Sequence, residues 1–132
     1  MDKHQHHEEL INGLYEQLKP VLDNSQQAIY VYLDDIHKIC NNKFATLLGY
    51  SSPEEWVKVT GFFPDAFVDQ KSQEVLVKTY QKAMERSIGS EIEVIWKTKD
   101  GDRVTSGVIL VPIAYNGHLF ALHFILNEKT PA

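Results

Sequence analysis

The chain has 132 residues, 43% of them hydrophobic and 23% charged, with a net charge of −5. That is the size and composition of one globular domain with a single core. It excludes a disordered tract and, by its acidic balance, a basic nucleic-acid footprint. No apolar run approaches the ~20 residues of a membrane span. Cys40 is the only cysteine, so neither an internal disulfide nor a CxxC site can form. With a polar opening, MDKHQHHEEL, that lacks the apolar stretch of a signal peptide, the expected location is the cytoplasm.

Leu10, Ile11, Leu14 and Leu18 recur at helical spacing and predict an amphipathic helix over 8–18. Lys19-Pro20 should end or kink it, and 23–27 (DNSQQ) reads as a loop. AIYVYL (28–33) is a strand by its β-branched and aromatic content, Asp34-Asp35 a tight turn, and IHKIC a short return strand. In NNKFATLLGYSSPEEW, Phe44, Leu47 and Leu48 share a helical face that Gly49 ends. Ser52, Pro53 and Glu55 then form a capping-box start for a second short helix. Residues 60–70 are irregular or short-helical. A longer helix over 71–87 places Val75, Leu76, Tyr80, Ala83 and Met84 on one side and closes at Gly89.

The period then changes to two. EIEVIWKT puts Ile92, Val94 and Trp96 on one face, KDGD is a hairpin turn, and RVTSGVILVPIAY is a long strand. Asn116-Gly117 turns the chain into a last strand, HLFALHFIL. Residues 108–111 and 119–126 are apolar at nearly every position, whereas an antiparallel strand with one wet face alternates. Both faces of the sheet should therefore be covered, the second by the N-terminal helix or by another copy of the chain.

No GxSxG, HExxH, P-loop, GxGxxG or CxxC motif occurs, so no catalytic residue is assigned and an enzyme is not expected. Asp34 and Asp35 are adjacent and should point apart. His4, His6 and His7 have the most metal-like spacing, but a frayed terminus holds ligands poorly, so a solvated start and no metal site are expected. His37, His118 and His123 read as structural or surface residues, and Cys40 as a small buried hydrophobe. Tyr30, Tyr32, Phe44, Leu48, Trp56, Phe63 (or its neighbour Phe62), Leu76, Tyr80 and Trp96 are the candidate lining of an interior pocket for a small apolar or aromatic molecule. The competing reading is that they pack solid.

From about 26 to 126 the chain resembles a PAS domain. ICNNKFATLLGYSSPEEW is similar to that family's asparagine–helix–Gly-Tyr–cap signature, with Asn41, Phe44, Leu48, Gly49, Tyr50 and Glu55 at matching places. FVDQKSQEVLVKTYQKAM looks like its connecting helix with Asp69 ahead of it, and EIEVIWKTKDGDRV like its third strand and turn. The chain departs from the family in ending its last strand LNEKT rather than with an Asp-Ile-Thr triplet.

The resemblance implies an α+β fold: a five-stranded antiparallel sheet, short helices on one face, and an N-terminal flanking helix. It divides the chain into a tail and flanking helix (1–25), the domain (26–127) and a C-terminal tail (128–132). It implies a sensory or signalling module that binds a small molecule between sheet and helices, relays a signal by dimerisation, or does both. The alternative is a ligand-free interaction module with a packed core. Two short helices in series would form a wall able to shift against the sheet.

Flavin-adduct chemistry is not expected, since Cys40 precedes Asn41 outside any Asn-Cys-Arg-Phe-like stretch. Haem ligation from the connecting helix is not expected either, since 71–87 contains no histidine. The expected partners are a small ligand, a downstream signalling protein and a second copy of the chain, with neither nucleic acid nor membrane. Leu10, Ile11, Leu14 and Leu18, with the outer sheet face, are the candidate dimer interface, and Leu14→Asp with Leu18→Asp should dissociate it.

Overall fold

The computed structural model of the chain describes residues 3–129 and, within them, the side chains of 5–126. The His4 side chain and the expected tail beyond 129 lie outside the described residues. The elements are α1 (Lys3–Asn24), β1 (Ile29–Tyr32), β2 (Lys38–Cys40), α2 (Asn42–Leu47), α3 (Pro53–Val57), α4 (Phe63–Phe67), α5 (Gln70–Arg86), β3 (Ser90–Lys97), β4 (Arg103–Tyr115) and β5 (His118–Lys129). The five strands form one antiparallel sheet in the order β2-β1-β5-β4-β3. The terminal meander is thus joined to the first hairpin through the β1–β5 pairing, in which Val31 stands opposite Leu122.

Strand alternation sorts the side chains into two clusters. Tyr30, Val94, Trp96, Val108, Leu110, Ala121 and Ile125 face the short helices and pack with Phe44, Leu48, Trp56, Phe67 and Leu76. Val31 and Phe120 face the other way, where Leu10, Ile11 and Leu14 of α1 lie on them. The chain's own helix therefore covers the outer face over Val31 and Phe120, while Ile109, Val111, Phe124 and Leu126 lie beyond it and stay half-buried. α1 approaches closely enough that a Cβ on Gly13 would lie 2.3 Å from the Tyr115 hydroxyl.

Local chemistry explains most of the element ends. Asn41 caps α2 by accepting from the Phe44 N–H at 3.0 Å, and Gly49 leaves the helix at φ +84°, a conformation cheap only for glycine. Ser52 Oγ accepts from the Glu55 N–H at 3.1 Å. The Glu55 carboxylate accepts from the Ser51 N–H at 2.9 Å, so the reciprocal half of the box closes one residue earlier than the capping box specifies. Ser52→Ala should lower stability by about 1 kcal/mol in a urea titration, with the slope unchanged.

Four expectations need correction. α1 does not stop at Pro20 but continues to Asn24. Pro20 is exposed, so water can satisfy the carbonyl its missing N–H leaves open, and continuing the helix buries Leu22 to 4% exposure. α5 closes at Ser87, not Gly89: Ser87 holds the left-handed position at φ 54° and its N–H donates to the Ala83 carbonyl at 2.9 Å. Its buried stripe is Ser72, Leu76, Thr79 and Ala83, while Val75 is exposed. β5 runs through Lys129, beyond the strand expected to end at Leu126.

Candidate functional site

The inner face of the sheet carries an aromatic cluster centred on Tyr30. Its ring stacks on His123 at 3.9 Å and 11°, lies 4.6 Å from Phe44 and 5.4 Å from Phe63, and meets the edge of Trp96 at 5.7 Å. Offset and edge-on contacts of this kind add stability beyond area burial. Phe44, Leu48, Trp56 and Trp96, four of the residues expected to line a pocket, are fully buried and pack solid. Trp96 is tied further by its indole N–H, which donates to Ser106 Oγ at 2.9 Å.

The other five expected lining residues do meet around a space. Tyr30, Tyr32, Phe63, Leu76 and Tyr80 border a cavity of about 160 Å³ between the sheet, α4 and α5. Phe62, Pro64, Val77, Gln81 and His123 complete the wall. A dry apolar cavity of ~150 Å³ accepts a benzene-sized guest, so this space suits about one ring rather than a fused ring system. Sequence reasoning missed His123, although its parity with Ala121 and Ile125 on the last strand places it inward once that face is known.

Polar groups around the cavity are few and specifically placed. The Tyr30 hydroxyl is buried and has no hydrogen-bond partner among the described residues. Burial, with the neighbouring Tyr32, pushes its pKa well above the usual tyrosine value, so it is a neutral donor and acceptor. Tyr32 donates to Asp35 Oδ1 at 2.9 Å, and the same oxygen accepts from the Phe63 N–H at 3.0 Å. Asp35 thereby fixes both the β1 side of the cavity and the start of α4. His123 is buried and its Nδ1–H donates to the Ala121 carbonyl at 3.0 Å. Burial pulls its pKa down to about 3, against a smaller upward pull from backbone hydrogen bonds, so the ring stays neutral.

Lys38 ties the end of α3 to the β1–β2 turn. It is 2% exposed, and its ammonium donates to the carbonyls of Asp35, Val57 and Val59 at 2.9, 3.2 and 2.7 Å. Its charge also lies 5.2 Å from the Trp56 ring. Burial pushes its pKa down to about 8, opposed by Asp35 and Asp34. Cys40 is buried, and burial raises its thiol to about 12, which leaves it unreactive at neutral pH.

A second, broader depression of about 700 Å³ lies between α1, β2 and α3. Glu8, Asp23, Lys38, Glu54 and Lys58 contribute to its lining, a mixture of charges unlike the apolar wall of the inner cavity. The smaller cavity instead has mostly apolar walls, and one of its lining residues, Tyr30, carries the buried hydroxyl without a partner among the described residues.

The remaining candidates sit elsewhere. Leu10, Ile11 and Leu14, expected at a dimer interface, are 4–5% exposed against the chain's own sheet, with Leu18 half-buried beside them. No helix among the described residues is long and apolar enough to cross a membrane. His7 is not at a frayed, solvated end: α1 begins at Lys3 and brings His7 against Asp34.

Comparison with known proteins places this architecture. No protein-family model and no curated protein matches the chain. Solved structures do. The PAS domain of an HTR-like protein from Haloarcula marismortui is 20% identical, with a TM-score of 0.64 over 95% of this chain and 99% of that one. The PAS domain of a Colwellia psychrerythraea protein is 22% identical, with a TM-score of 0.63 over 89% and 97%. A PAS domain from a two-component sensor histidine kinase is 13% identical, with a TM-score of 0.64 over 89% and 98%. The chain has the PAS fold.

Proposed function

We propose that this PAS-fold chain is a sensory module whose inner cavity takes a small, largely apolar molecule of about one ring carrying one polar atom. The observation that supports it is an apolar space of about 160 Å³ bordered by Tyr30, whose buried hydroxyl has no partner among the described residues. An unpaired buried polar group costs roughly 1–3 kcal/mol, and a ligand atom that pairs with it recovers that cost. The wall opposite Tyr30 comes from α4 and α5, so occupancy acts first on those helices. The module binds and relays rather than catalyses, its polar groups being neutral tyrosines and a neutral histidine.

Calorimetric titration with phenol, indole and benzene separates the parts of this reading. Phenol should bind more tightly than benzene. Tyr30→Phe should weaken phenol about tenfold and leave benzene nearly unchanged, as expected for one hydrogen bond of ~1.4 kcal/mol. Leu76→Phe should fill the space and reduce both. Failure of all three compounds to bind, or equal binding by wild type and Leu76→Phe, would remove the ligand reading.

Relay to a partner, including a second copy of the chain, is proposed for the outer sheet face beyond α1. Ile109, Val111, Phe124 and Leu126 are only half-buried there. A contiguous apolar patch of this kind marks an association surface. Sedimentation across micromolar concentrations reads it directly, and Ile109→Lys with Phe124→Lys should shift any dimer to monomer.

A further inference from the structure

Five polar and basic groups remain that the cavity does not use, and they converge where α1 crosses the β1–β2 turn. Asp34 Oδ2 lies 2.7 Å from His7 Nδ1, and Asp34 Oδ1 lies 2.8 Å from His37 Nδ1. The ligand atoms of these three residues all fall within 4.8 Å of one another. Beside them, His6 of α1 faces His118 of the β4–β5 hairpin, Nε2 to Nε2 at 3.0 Å, and the His7 and His118 rings are 6.1 Å apart. Residues separated by 27 positions in the chain thus form one cluster on a helix and a turn.

We propose that His7, Asp34 and His37 form a binding site for one Zn²⁺-class divalent ion, which fastens the N-terminal helix to the β1–β2 turn. Two imidazoles and a carboxylate are the ligand types of Zn²⁺, Ni²⁺ and Cu²⁺ rather than of Mg²⁺ or Ca²⁺, which take oxygen. Tetrahedral Zn–N bonds of ~2.0–2.1 Å place ligand atoms about 3.3 Å apart, so the 2.7–2.9 Å His–Asp34 spacings open by about half an ångström while the set, now within 4.8 Å, draws together.

The carboxylate is prepared for the role. Two Asp34 contacts, from the N–H groups of Ile36 at 3.0 Å and His37 at 2.7 Å, are to backbone and would persist as outer-shell support when the ion replaces the imidazole hydrogen bonds. The imidazoles would bind as neutral rings through Nδ1, their protons moving to Nε2. Side-chain exposures of 15% for His7, 7% for His37 and 36% for Asp34 give sheltered ligands with an entry on the carboxylate side. Water completes the fourth position.

The test uses the full, untagged chain and ZnCl₂ alone, with Co²⁺ as a spectroscopic substitute. One Zn²⁺ per chain should survive gel filtration. Co²⁺ should give the intense visible bands of a four-coordinate site, and amide exchange in the first turns of α1 should slow on Zn²⁺ addition. Asp34→Asn and His37→Gln should each weaken Zn²⁺ at least tenfold, while His4→Ala leaves it unchanged. Asp34 is part-exposed, so its variant remains informative if His37→Gln fails to fold. Zn²⁺ lost on gel filtration would overturn the proposal. So would retention by Asp34→Asn with loss in His4→Ala, which is chelation by the N-terminal histidines only.

Discussion

Asn41→Ala is expected to lower the unfolding free energy by about 3 kcal/mol and the melting temperature by roughly 10 °C. Asn41 is 5% exposed and its amide makes three bonds. Oδ1 accepts from the N–H groups of Phe44 at 3.0 Å and Ile29 at 3.1 Å, and Nδ2 donates to the Gln27 carbonyl at 2.9 Å. One side chain thus caps α2 and fixes the entry to β1, the strand that carries Tyr30. Alanine strands two backbone donors and an acceptor, each costing about 1 kcal/mol or more when buried. Asn41→Asp separates the parts. It keeps the acceptor for both N–H groups but sets a carboxylate oxygen against the Gln27 carbonyl, so the loss should be about half as large. Denaturant titration of both variants decides it. Equal losses would mean that the cap matters little and the Gln27 bond carries the effect.

Sequence patterns revealed the fold wherever a local rule met no competitor. Asn41, Gly49, Ser52-Pro53 and Asn116-Gly117 each act where their chemistry demands, with φ of 48° and 80° in the last turn. Patterns failed where tertiary burial overrode local preference. Pro20 was expected to end or kink α1, but the helix continues through it to Asn24, and Leu22 beyond it is buried. Gly89 was the expected stop of α5, yet Ser87 supplies the left-handed residue, and Gly89 instead lets β3 approach the Leu110 carbonyl, 3.3 Å from where a Cβ would stand.

The candidate site was half legible for a related reason. Aromatic content nominated Tyr30, Tyr32, Phe63, Leu76 and Tyr80, but nothing in the spacing separates rings that border a space from rings such as Phe44 and Trp56 that fill one. That distinction depends on the depth at which α4 and α5 sit over the sheet. Lys38 illustrates the same limit: only the convergence of three carbonyls, which no local pattern shows, makes the burial of its charge tolerable. The His7–Asp34–His37 cluster was out of reach altogether, because it depends on where α1 crosses the sheet.

Leu14→Asp with Leu18→Asp tests that crossing, and its expected outcome is the reverse of the one the sequence suggests. Were these leucines an interface between copies, aspartates there would convert a dimer into monomers. With Leu14 at 4% exposure against Val31 and Phe120, aspartates should instead release α1 from its own sheet. The loss is bounded. Leu10, Ile11 and Leu14 contribute ~1.5–3 kcal/mol each by burial, offset by the entropy of ordering the helix, and undocking limits the damage to that net value. The helix should therefore open as a unit while the sheet stays folded. Hydrogen exchange should show 3–24 unprotected and β4 and β5 still protected. Val31 and Phe120, now uncovered, should enlarge the apolar outer face, and sedimentation should show more association rather than less. A wild-type dimer that falls to compact monomers in this variant would mean that α1 lies across a neighbouring copy.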